Sequence, residues 1–526
     1  MDLTFKIIAV AIYFAAMIVI GLYAYRKTTD GDDYMLGGRQ LHPFTAALSA
    51  GASDMSGWLM MGLPGALYLS GMVEAWMAIG LTVGAAVNWW LVAPRLRQYT
   101  QIARNSITVP SFFENRLFDR TRLLRIAAGV VILVFFTFYV SSGMVAGGVF
   151  FQSTFGGSYV VGMLLVGGVT VLYTLFGGFL GASYTDVVQG LIMLVSLIIV
   201  PVVACFAVGG PAEMFASVAQ VNPDFASMTT GTSAIAIISG LAWGVGYFGQ
   251  PHIIVRFMAL RSSRDAKYGM GVGVGWMALC VLGAIFTAIA GVAYFQQNPD
   301  MSLSDPEAVF LDLAQIMFHP LLGGFVLAAV LAAIMSTVSS QLIVTSSALV
   351  EDLVGVSGKK FSANTELWLG RTGVLVVAVV AGALAVQRND TILDLVGFAW
   401  AGFGAAFGPI VLLSLFWRRL TAMGALVGMV AGAVVAFVWG QWQPDVALGW
   451  LPEHLYEIVP GFLVCLLLAV LVSLVTPQPP AQAMEEFERT VRAVKHGEET
   501  EEAPVASGTA GTAGAARGGA AAPEAG

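Results

Sequence analysis

The sequence predicts an all-α polytopic membrane protein, and three observations support this fold class. Hydrophobic residues make up 57% of the 526 residues and charged residues only 11%, whereas a soluble domain carries about 25% charged residues. The mean hydropathy is +0.81. Apolar runs of about 20 residues, the length that a helix needs to cross a bilayer, recur from end to end. About thirteen transmembrane spans are predicted, at residues 5–25, 43–69, 73–94, 126–150, 158–179, 187–209, 233–255, 271–295, 320–350, 369–387, 393–416, 422–440 and 457–475.

The basic residues predict the orientation of these spans, because cytoplasmic loops of membrane proteins are enriched in Lys and Arg. With the N-terminus outside and the C-terminus inside, all of the 25 Lys and Arg residues except Lys6 and Arg388 fall on the inner side. Arg26, Arg39 and Arg256 are explained in this way as residues of inner loops. We therefore expect an odd number of spans with N-out/C-in topology.

The second span carries an acidic residue near its middle, in the stretch Ser49-Ala-Gly-Ala-Ser-Asp-Met-Ser-Gly-Trp58. A charge at this depth, here Asp54, usually marks an ion or substrate path. The glycines and serines around it weaken a helix and leave carbonyls free. We expect a broken helix whose Ala52 and Met55 carbonyls bind sodium. Close helix packing at the glycines is the alternative, but packing does not explain the acid.

Three weaker signals lie in the region of the fifth to seventh spans. Asp186, near the inner end of span six, could be an ion-exit ligand or a helix cap. The pair Gly177-Gly178 is interpreted as a helix-packing element. His252 is expected to be a hydrogen-bonded helix residue rather than a proton relay.

The seventh span contains Trp243-Gly-Val-Gly-Tyr-Phe-Gly-Gln-Pro251, in which Trp243, Tyr247 and Pro251 fall four residues apart on one helix face. The glycines and the proline predict a second break. Spans two and seven are five spans apart, as two inverted five-helix repeats (5+5) require, and paired broken helices mark the binding site of such transporters. Interfacial aromatic residues and packing glycines are the alternative.

The ninth span places Ser336, Ser339 and Ser340 at positions i, i+3 and i+4, on one helix face, with Thr337 beside them. Hydroxyls clustered in mid-span can complete an oxygen shell around a small cation. Hydroxyls that bond back to their own helix carbonyls are the common alternative.

The cysteines Cys205, Cys280 and Cys465 lie in apolar runs and are expected to be buried hydrophobic residues, not metal ligands or disulfides. A short helix is expected near 481–496, followed by a disordered Ala/Gly-rich end.

The predicted spans and loops divide the chain into five segments. They are a first helix and cytoplasmic loop (1–42), a first inverted repeat of spans 2–6 (43–209), a second inverted repeat of spans 7–11 (233–417), two C-terminal spans (418–476) and a cytoplasmic, largely disordered tail (477–526).

At these residues the sequence resembles the sodium/solute symporter family, and within it the sodium/proline symporters. Ala242 and Phe398 depart from the family pattern, which usually has Gly and Tyr there. The resemblance extends over residues 1–475 and is carried by LGGRQLHPFTAALSAGASDMSGWLMMGLPGALYLSG, FFTFYVSSGMVAGG, YTLFGGFLGASYTDVVQ, AWGVGYFGQPHIIVRFMA, LAAIMSTVSSQL and FAWAGFGAAFGP.

The resemblance implies a LeuT-type inverted-repeat fold with one extra N-terminal helix, which works by alternating access. The implied sodium site consists of the carbonyls of Ala52, Met55 and Ala333 and the hydroxyls of Ser336 and Thr337, supported by Asp54 and Ser53. The implied proline site consists of Trp58, Tyr139, Trp243, Tyr247 and Pro251. A second sodium, as some family members bind, would lie at Asp186, Ser339 and Ser340, and its presence here stays open.

We therefore expect a multi-pass transporter of the cell membrane, in a bacterium the inner membrane, and not an enzyme. It would import L-proline with sodium as the coupling ion and the only metal, and would need the lipid bilayer but no other cofactor, nucleic acid or obligate protein partner. One alternative is sodium symport of pantothenate, a sugar, a sialic acid or another amino acid. A transporter-like sensor is less favoured because the tail is too short for a signalling domain. A channel would need a ring-forming filter motif, which the sequence lacks.

Overall fold

The structure of the chain is a computed structural model that describes residues 3–25, 36–303, 305–355, 362–388, 390–442 and 455–496. This part of the chain is helical and contains no β-strand. The α-helices are α1 (Leu3–Tyr25), α2 (Pro43–Asp54), α3 (Leu63–Ser70), α4 (Ala75–Val87), α5 (Ala93–Ile102), α6 (Val109–Leu117), α7 (Leu123–Phe155), α8 (Tyr159–Ala207), α9 (Pro211–Val221), α10 (Ala234–Ala242), α11 (Pro251–Met258), α12 (Asp265–Gln297), α13 (Val309–Met317), α14 (Pro320–Ser347), α15 (Ala363–Ala385), α16 (Ile392–Phe416), α17 (Ala422–Trp442), α18 (Ile458–Val475) and α19 (Ala481–His496). Short 3₁₀ or π-helical turns lie at Gly37–Arg39, Trp58–Gly62, Met72–Glu74, Asn88–Val92, Trp243–Gly249, Pro306–Ala308 and Ala348–Val354.

Ten helical segments of the described chain are long and apolar enough to cross a membrane. The predicted spans 43–69, 158–179 and 233–255 are not among these ten. The first and third are interrupted near their middle, and the second corresponds to the shorter apolar helix Tyr159–Leu175.

Apolar side chains cover the outer surface of the helices, as expected where helices face lipid. In α18, Leu463, Leu467 and Leu471 follow one another at intervals of four residues and are about half exposed. This spacing places them on one face, while the opposite face packs against α16 and α17. In contrast, α14 and α16 are largely buried and form the centre of the molecule.

The helix α8 changes direction at Gly178. An uninterrupted helix of its 49 residues would be about 73 Å long, more than twice the roughly 30 Å of a bilayer core. Gly178 has φ 58° and ψ −170°, a backbone conformation that is essentially restricted to glycine. The pair Gly177-Gly178 therefore divides two spans, and its interpretation as a helix-packing element stays a prediction.

Both predicted helix breaks are present, and Asp54 at the first contacts Tyr247 in the second. The chain leaves helical geometry after Asp54, with Met55 at φ −80° and ψ 82°. The helix α10 passes into the 3₁₀ turn Trp243–Gly249, and α11 starts afresh at Pro251. At Gly84 of α4 and Gly244 of the turn the two backbones touch, so that a Cβ on either residue would overlap the other chain segment.

The C-terminal helix α19 corresponds to the predicted short helix and docks onto α5. Phe487 is buried at this contact. Its ring and that of Tyr99 both lie against the buried Arg116 guanidinium, at 5.3 and 5.1 Å. The predicted disorder of residues 503–526 falls outside the described residues.

Candidate functional site

The break after α2 releases two backbone carbonyls. In a continuous helix the amide of residue 56 would donate to Ala52 O, but Ser56 N donates to Asp54 O at 3.0 Å. Likewise Leu59 N donates to Ser56 O at 3.1 Å rather than to the carbonyl of Met55. The carbonyls of Ala52 and Met55 are thus available for other partners, as the glycine- and serine-rich sequence predicted.

The helix α14 supplies hydroxyls to this break. Ser336 Oγ lies 2.6 Å from Ala52 O and 3.1 Å from Ala333 O of its own helix. Thr337 Oγ1 lies 3.2 Å from Ala333 O and 3.5 Å from Ala52 O. Four of the five oxygens predicted for the sodium site therefore meet in one cluster, with the Met55 carbonyl on the adjoining turn.

The two hydroxyls of this cluster offer one proton each, which is enough for the two carbonyls. The hydroxyl oxygens keep lone pairs that a cation can use. Oxygens about 2.4 Å from a hard cation would stand about 3.4 Å apart in an octahedron, within the observed range of 2.6–3.5 Å. The four oxygens suit a small cation, whose binding would replace the hydrogen bond between Ser336 and Ala52.

Asp54 links the two broken helices. Its Oδ2 accepts a hydrogen bond from the Tyr247 hydroxyl, and its backbone carbonyl accepts one from Trp58 Nε1 at 3.0 Å. Its Oδ1 is buried without a hydrogen-bond partner among the described residues. Ser53 Oγ bonds to Ala50 O of its own helix at 3.0 Å. The two side chains that bond to Asp54, those of Tyr247 and Trp58, thus belong to the predicted substrate set rather than to the cluster on α14.

The residues predicted to bind substrate are divided among the molecular centre, the side of Trp243 and the side of Pro251. Trp58, Tyr139 and Tyr247 are buried at the centre. Tyr139 packs edge-on against His252 at 5.7 Å. Neither ring nitrogen of His252 nor the Tyr139 hydroxyl has a hydrogen-bond partner in the described structure. The expectation of a hydrogen-bonded histidine was therefore wrong.

Trp243 borders a wide cavity of about 700 Å³. Its ring is held between Tyr456, at 5.1 Å, and Trp400, at 6.4 Å. Glu457, also in the wall, directly precedes the apolar helix Ile458–Val475 and so lies one residue outside it, although the predicted span began at residue 457. Burial raises the pKa of its carboxyl to about 7. Among the residues that the structure describes, the other acids that line the cavity are Glu74, Asp390 and Asp394.

The cavity at Pro251 is far smaller, about 20 Å³, or room for about one water molecule. Thr108 Oγ1 and Arg125 Nε, each 2.8 Å from Asp352 Oδ1, close this side. Arg125 also reaches Glu114 at 3.1 Å. The molecule is therefore open on the side of Trp243 and closed on the side of Pro251.

Asp186 belongs to a buried polar cluster. It lies inside α8 and caps no helix, so the capping interpretation was wrong. Its Oδ2 accepts from Ser49 Oγ at 2.7 Å and pairs with Arg256 Nη2 at 3.4 Å. Arg256 Nη2 also donates to Ser340 Oγ at 2.6 Å. Ser339 instead bonds to Ser336 O of its own helix at 3.0 Å.

Two arginines that the topology argument placed on the inner side have defined structural partners. Arg256 is 1% exposed and lies within the helix α11, so its assignment to a loop was wrong. Arg39 donates to Thr100 Oγ1, Met258 O and Ser106 O at 2.6–3.0 Å. Arg26 lies outside the described residues.

Three residues that contact the candidate sites were not predicted from the sequence: Arg256, Trp400 and Tyr456. A buried acid such as Asp186 needs a partner, which was a signal that a basic residue had to lie near it. The spacing of the sequence could not identify that residue. The two aromatic residues lie on other spans than Trp243, and no local pattern connects them to it.

A sequence profile of the sodium:solute symporter family matches residues 34–432, most of the chain. The chain belongs to this family. It is 54% identical to the high-affinity proline transporter PutP of Bacillus subtilis, covering 88% of this chain and 96% of that protein. It is 50% identical to the osmoregulated proline transporter OpuE of the same species, over 90% and 95% of the two chains. It is 49% identical to the sodium/proline symporter of Staphylococcus aureus, over 90% and 93%.

Two solved structures share its fold. One is a substrate-bound, outward-open sodium-coupled sialic acid symporter, with a TM-score of 0.77 at 20% identity, covering 90% of this chain and 99% of that one. The other is the nucleobase-cation-symport-1 family transporter Mhp1, with a TM-score of 0.54 at 14% identity, covering 88% and 100%. Family, relatives and apolar helices together identify a multi-pass transporter of the plasma membrane, not an enzyme.

Proposed function

We propose that this family member imports L-proline together with sodium by alternating access. The relatives named as proline transporters or sodium/proline symporters match it at about half identity over nearly their whole length. The observation that supports sodium coupling within the molecule is the oxygen cluster between Ala52 and Ser336, where a broken helix faces hydroxyls of α14.

We propose that sodium binds the carbonyls of Ala52, Met55 and Ala333 and the hydroxyls of Ser336 and Thr337, with Asp54 and Ser53 as support. Proline would bind between Trp58, Tyr139, Trp243, Tyr247 and Pro251. The hydrogen bond between Asp54 and Tyr247 would connect the two sites. An ion that orders the break after α2 would thereby favour the proline-binding arrangement, and coupling requires such a difference in affinity between states.

The proposed topology is the 5+5 inverted-repeat arrangement of the LeuT type, with thirteen spans and N-out/C-in orientation. The wide cavity at Trp243 would then open to the outside, and the pairs of Arg125 would close the inside. Each sodium moved inward would gain about 2.3 kcal/mol per 100 mV of membrane potential.

The test is uptake of labelled proline into proteoliposomes with and without an inward sodium gradient, competed by a panel of unlabelled solutes. We expect sodium-dependent uptake that only proline and close analogues inhibit. Sodium-dependent uptake of pantothenate, a sugar, a sialic acid or another amino acid would refute proline as substrate but keep the sodium site. If folded protein showed no sodium-dependent uptake of any solute in the panel, symport would be refuted and a sensor favoured.

A further inference from the structure

Arg256 is a buried cation with an unusually complete set of partners. Its Nε donates to Ser49 Oγ at 3.1 Å, and its Nη1 donates to His252 O at 2.6 Å. Its Nη2 reaches Ser340 Oγ at 2.6 Å and Asp186 Oδ2 at 3.4 Å. The guanidinium thus contacts side chains from α2, α8 and α14 while it is fixed to α11.

Two of these partners are oxygens of the set that a second sodium would require. The Nη2 atom bonds to both Asp186 Oδ2 and Ser340 Oγ and so takes up the bonding positions of a cation between them. The third oxygen, Ser339 Oγ, is directed to Ser336 O of its own helix. Asp186 Oδ1 is buried without a hydrogen-bond partner among the described residues, but a sodium ion could use Asp186 Oδ2 and Ser340 Oγ together only by displacing the guanidinium.

Charge balance leads to the same conclusion. Asp186 and Arg256 are both at most 1% exposed and form a neutral pair. A sodium ion added here would place two positive charges against one carboxylate in a region that water does not reach. Arginine stays protonated in proteins, so the pair cannot make room by losing a proton, and an unpaired buried charge is strongly destabilising.

We propose that the Arg256 guanidinium is a tethered cation that takes the place of a second sodium, so that the protein carries one sodium per substrate molecule. This inference rests on the proposed function for its substrate, but the ion count can be measured without proline. The tether also crosses the interface between the broken helices, which carry Ser49 and Arg256, and the continuous helices α8 and α14.

The experiment is equilibrium binding of radioactive sodium to the purified full-length protein, with the charge moved per proline measured in proteoliposomes. Proline is a zwitterion without net charge, so the charge per proline equals the number of sodium ions. For the wild type we expect one bound sodium, one charge per proline and a Hill coefficient for sodium near 1. For Arg256→Gln we expect a second bound sodium and a Hill coefficient that rises towards 2.

Two variants serve as controls. Arg256→Lys keeps the positive charge and should keep one bound sodium. Arg261→Gln, which changes an arginine on the surface that pairs with Asp265, should behave like the wild type. Should Arg256→Gln fail to fold, Ser340→Ala takes its place, and the inference predicts that this variant still binds one sodium.

Three results would overturn the inference. They are two sodium ions bound to the wild type, a folded Arg256→Gln protein that still binds only one, and loss of a bound ion in Ser340→Ala. Absence of proline uptake by a wild type that binds one sodium would refute the proposed substrate and leave the tethered cation standing.

Discussion

The hydroxyl of Ser336 bridges two helices that are far apart in sequence, and the proposed sodium site depends on it. Ser336→Ala removes one of the five oxygens. The loss of about 1.4 kcal/mol of binding free energy, typical of one such contact, corresponds to a tenfold change in affinity. We expect the sodium concentration for half-maximal uptake to rise about tenfold, as measured from uptake against sodium concentration.

The matched control for this variant is Thr345→Ala on the same helix, since Thr345 Oγ1 bonds back to Gln341 O at 2.7 Å. Its sodium dependence should equal that of the wild type. Should Ser336→Ala and Thr337→Ala both keep the wild-type sodium requirement, sodium binds elsewhere.

The Tyr247 hydroxyl donates a hydrogen bond to the buried Asp54 carboxylate, whose other oxygen has no partner among the described residues. Tyr247→Phe leaves both oxygens of Asp54 without a partner, and such a loss costs about 1–3 kcal/mol. We expect a lower unfolding temperature in detergent and weaker proline uptake. Tyr294→Phe, which removes a hydroxyl near the surface sulfur of Met301, is the control.

The double variant Tyr247→Phe with Asp54→Asn separates this contact from general damage. An amide in place of the carboxylate leaves no unpaired charge, so the two effects on unfolding temperature should not add. Fully additive effects would mean that the two side chains do not interact.

At the scale of single residues, a candidate could be predicted where its chemistry is visible in a short stretch of sequence. Asp54, Ser336 and Thr337 could be selected as candidates because residues with side-chain oxygens stand out in apolar spans. Arg256 was missed because its partner Asp186 lies 70 residues away, and a pairing of that kind is decided by tertiary packing. The surroundings of His252 are also decided by tertiary packing, which places its ring against Tyr139 rather than near a hydrogen-bond partner.

At the scale of helices and turns, both breaks could be predicted because glycine and proline act locally. The close approach of α4 to the turn Trp243–Gly249 could not, since it depends on two glycines, Gly84 and Gly244, from different spans. The direction change in α8 depends on the φ angle of Gly178, which a glycine pair permits but does not specify.

Gly84→Ala should destabilise the fold, because the new Cβ would overlap the backbone of Gly244. Overpacking of this kind costs about 1–3 kcal/mol, which a lower unfolding temperature would reveal. Gly271→Ala in α12 meets open space and should be neutral or slightly stabilising by helix propensity. Equal unfolding temperatures for the two variants would contradict the close approach.

The helix α19 predicts different results for two truncations. Ending the chain after residue 496 keeps the contact of Phe487 with Tyr99 and Arg116, so stability and uptake should match those of the full chain. Ending it after residue 480 exposes that contact and should lower the unfolding temperature, with a smaller effect on uptake. Phe487→Ala should reproduce the stability loss of the shorter chain, and its failure to do so would mean that the docked helix is not stabilising.

At the scale of the whole molecule, the wide cavity at Trp243 and the ion pairs at Asp352 lie on opposite sides of the candidate sites. Both depend on how distant helices are arranged, so the sequence could predict the sites but not which side is open. The apolar runs predicted the membrane class because composition acts without regard to arrangement.

The acids of the wide cavity predict a dependence on external pH. Burial raises the pKa of Glu457 to about 7, so this carboxyl becomes ionised as pH rises from 6 to 8 and attracts cations into the cavity. We expect the sodium concentration for half-maximal uptake to fall about two- to threefold over that range. Glu457→Gln should remove the dependence, whereas Glu213→Gln on α9 should retain it. Persistence of the dependence in Glu457→Gln would assign it to another group.

The direction change at Gly178 also bears on how the protein is made. Two apolar helices meet there at one glycine, so a ribosome delivers them to the membrane as one helical stretch of 49 residues in which Asp186 is the one charged residue. No loop separates the two helices of α8, so no such segment can stay on one side of the membrane while the first span is inserted. We expect the two spans to leave the translocon together, which makes this glycine a biosynthetic constraint as well as a structural one.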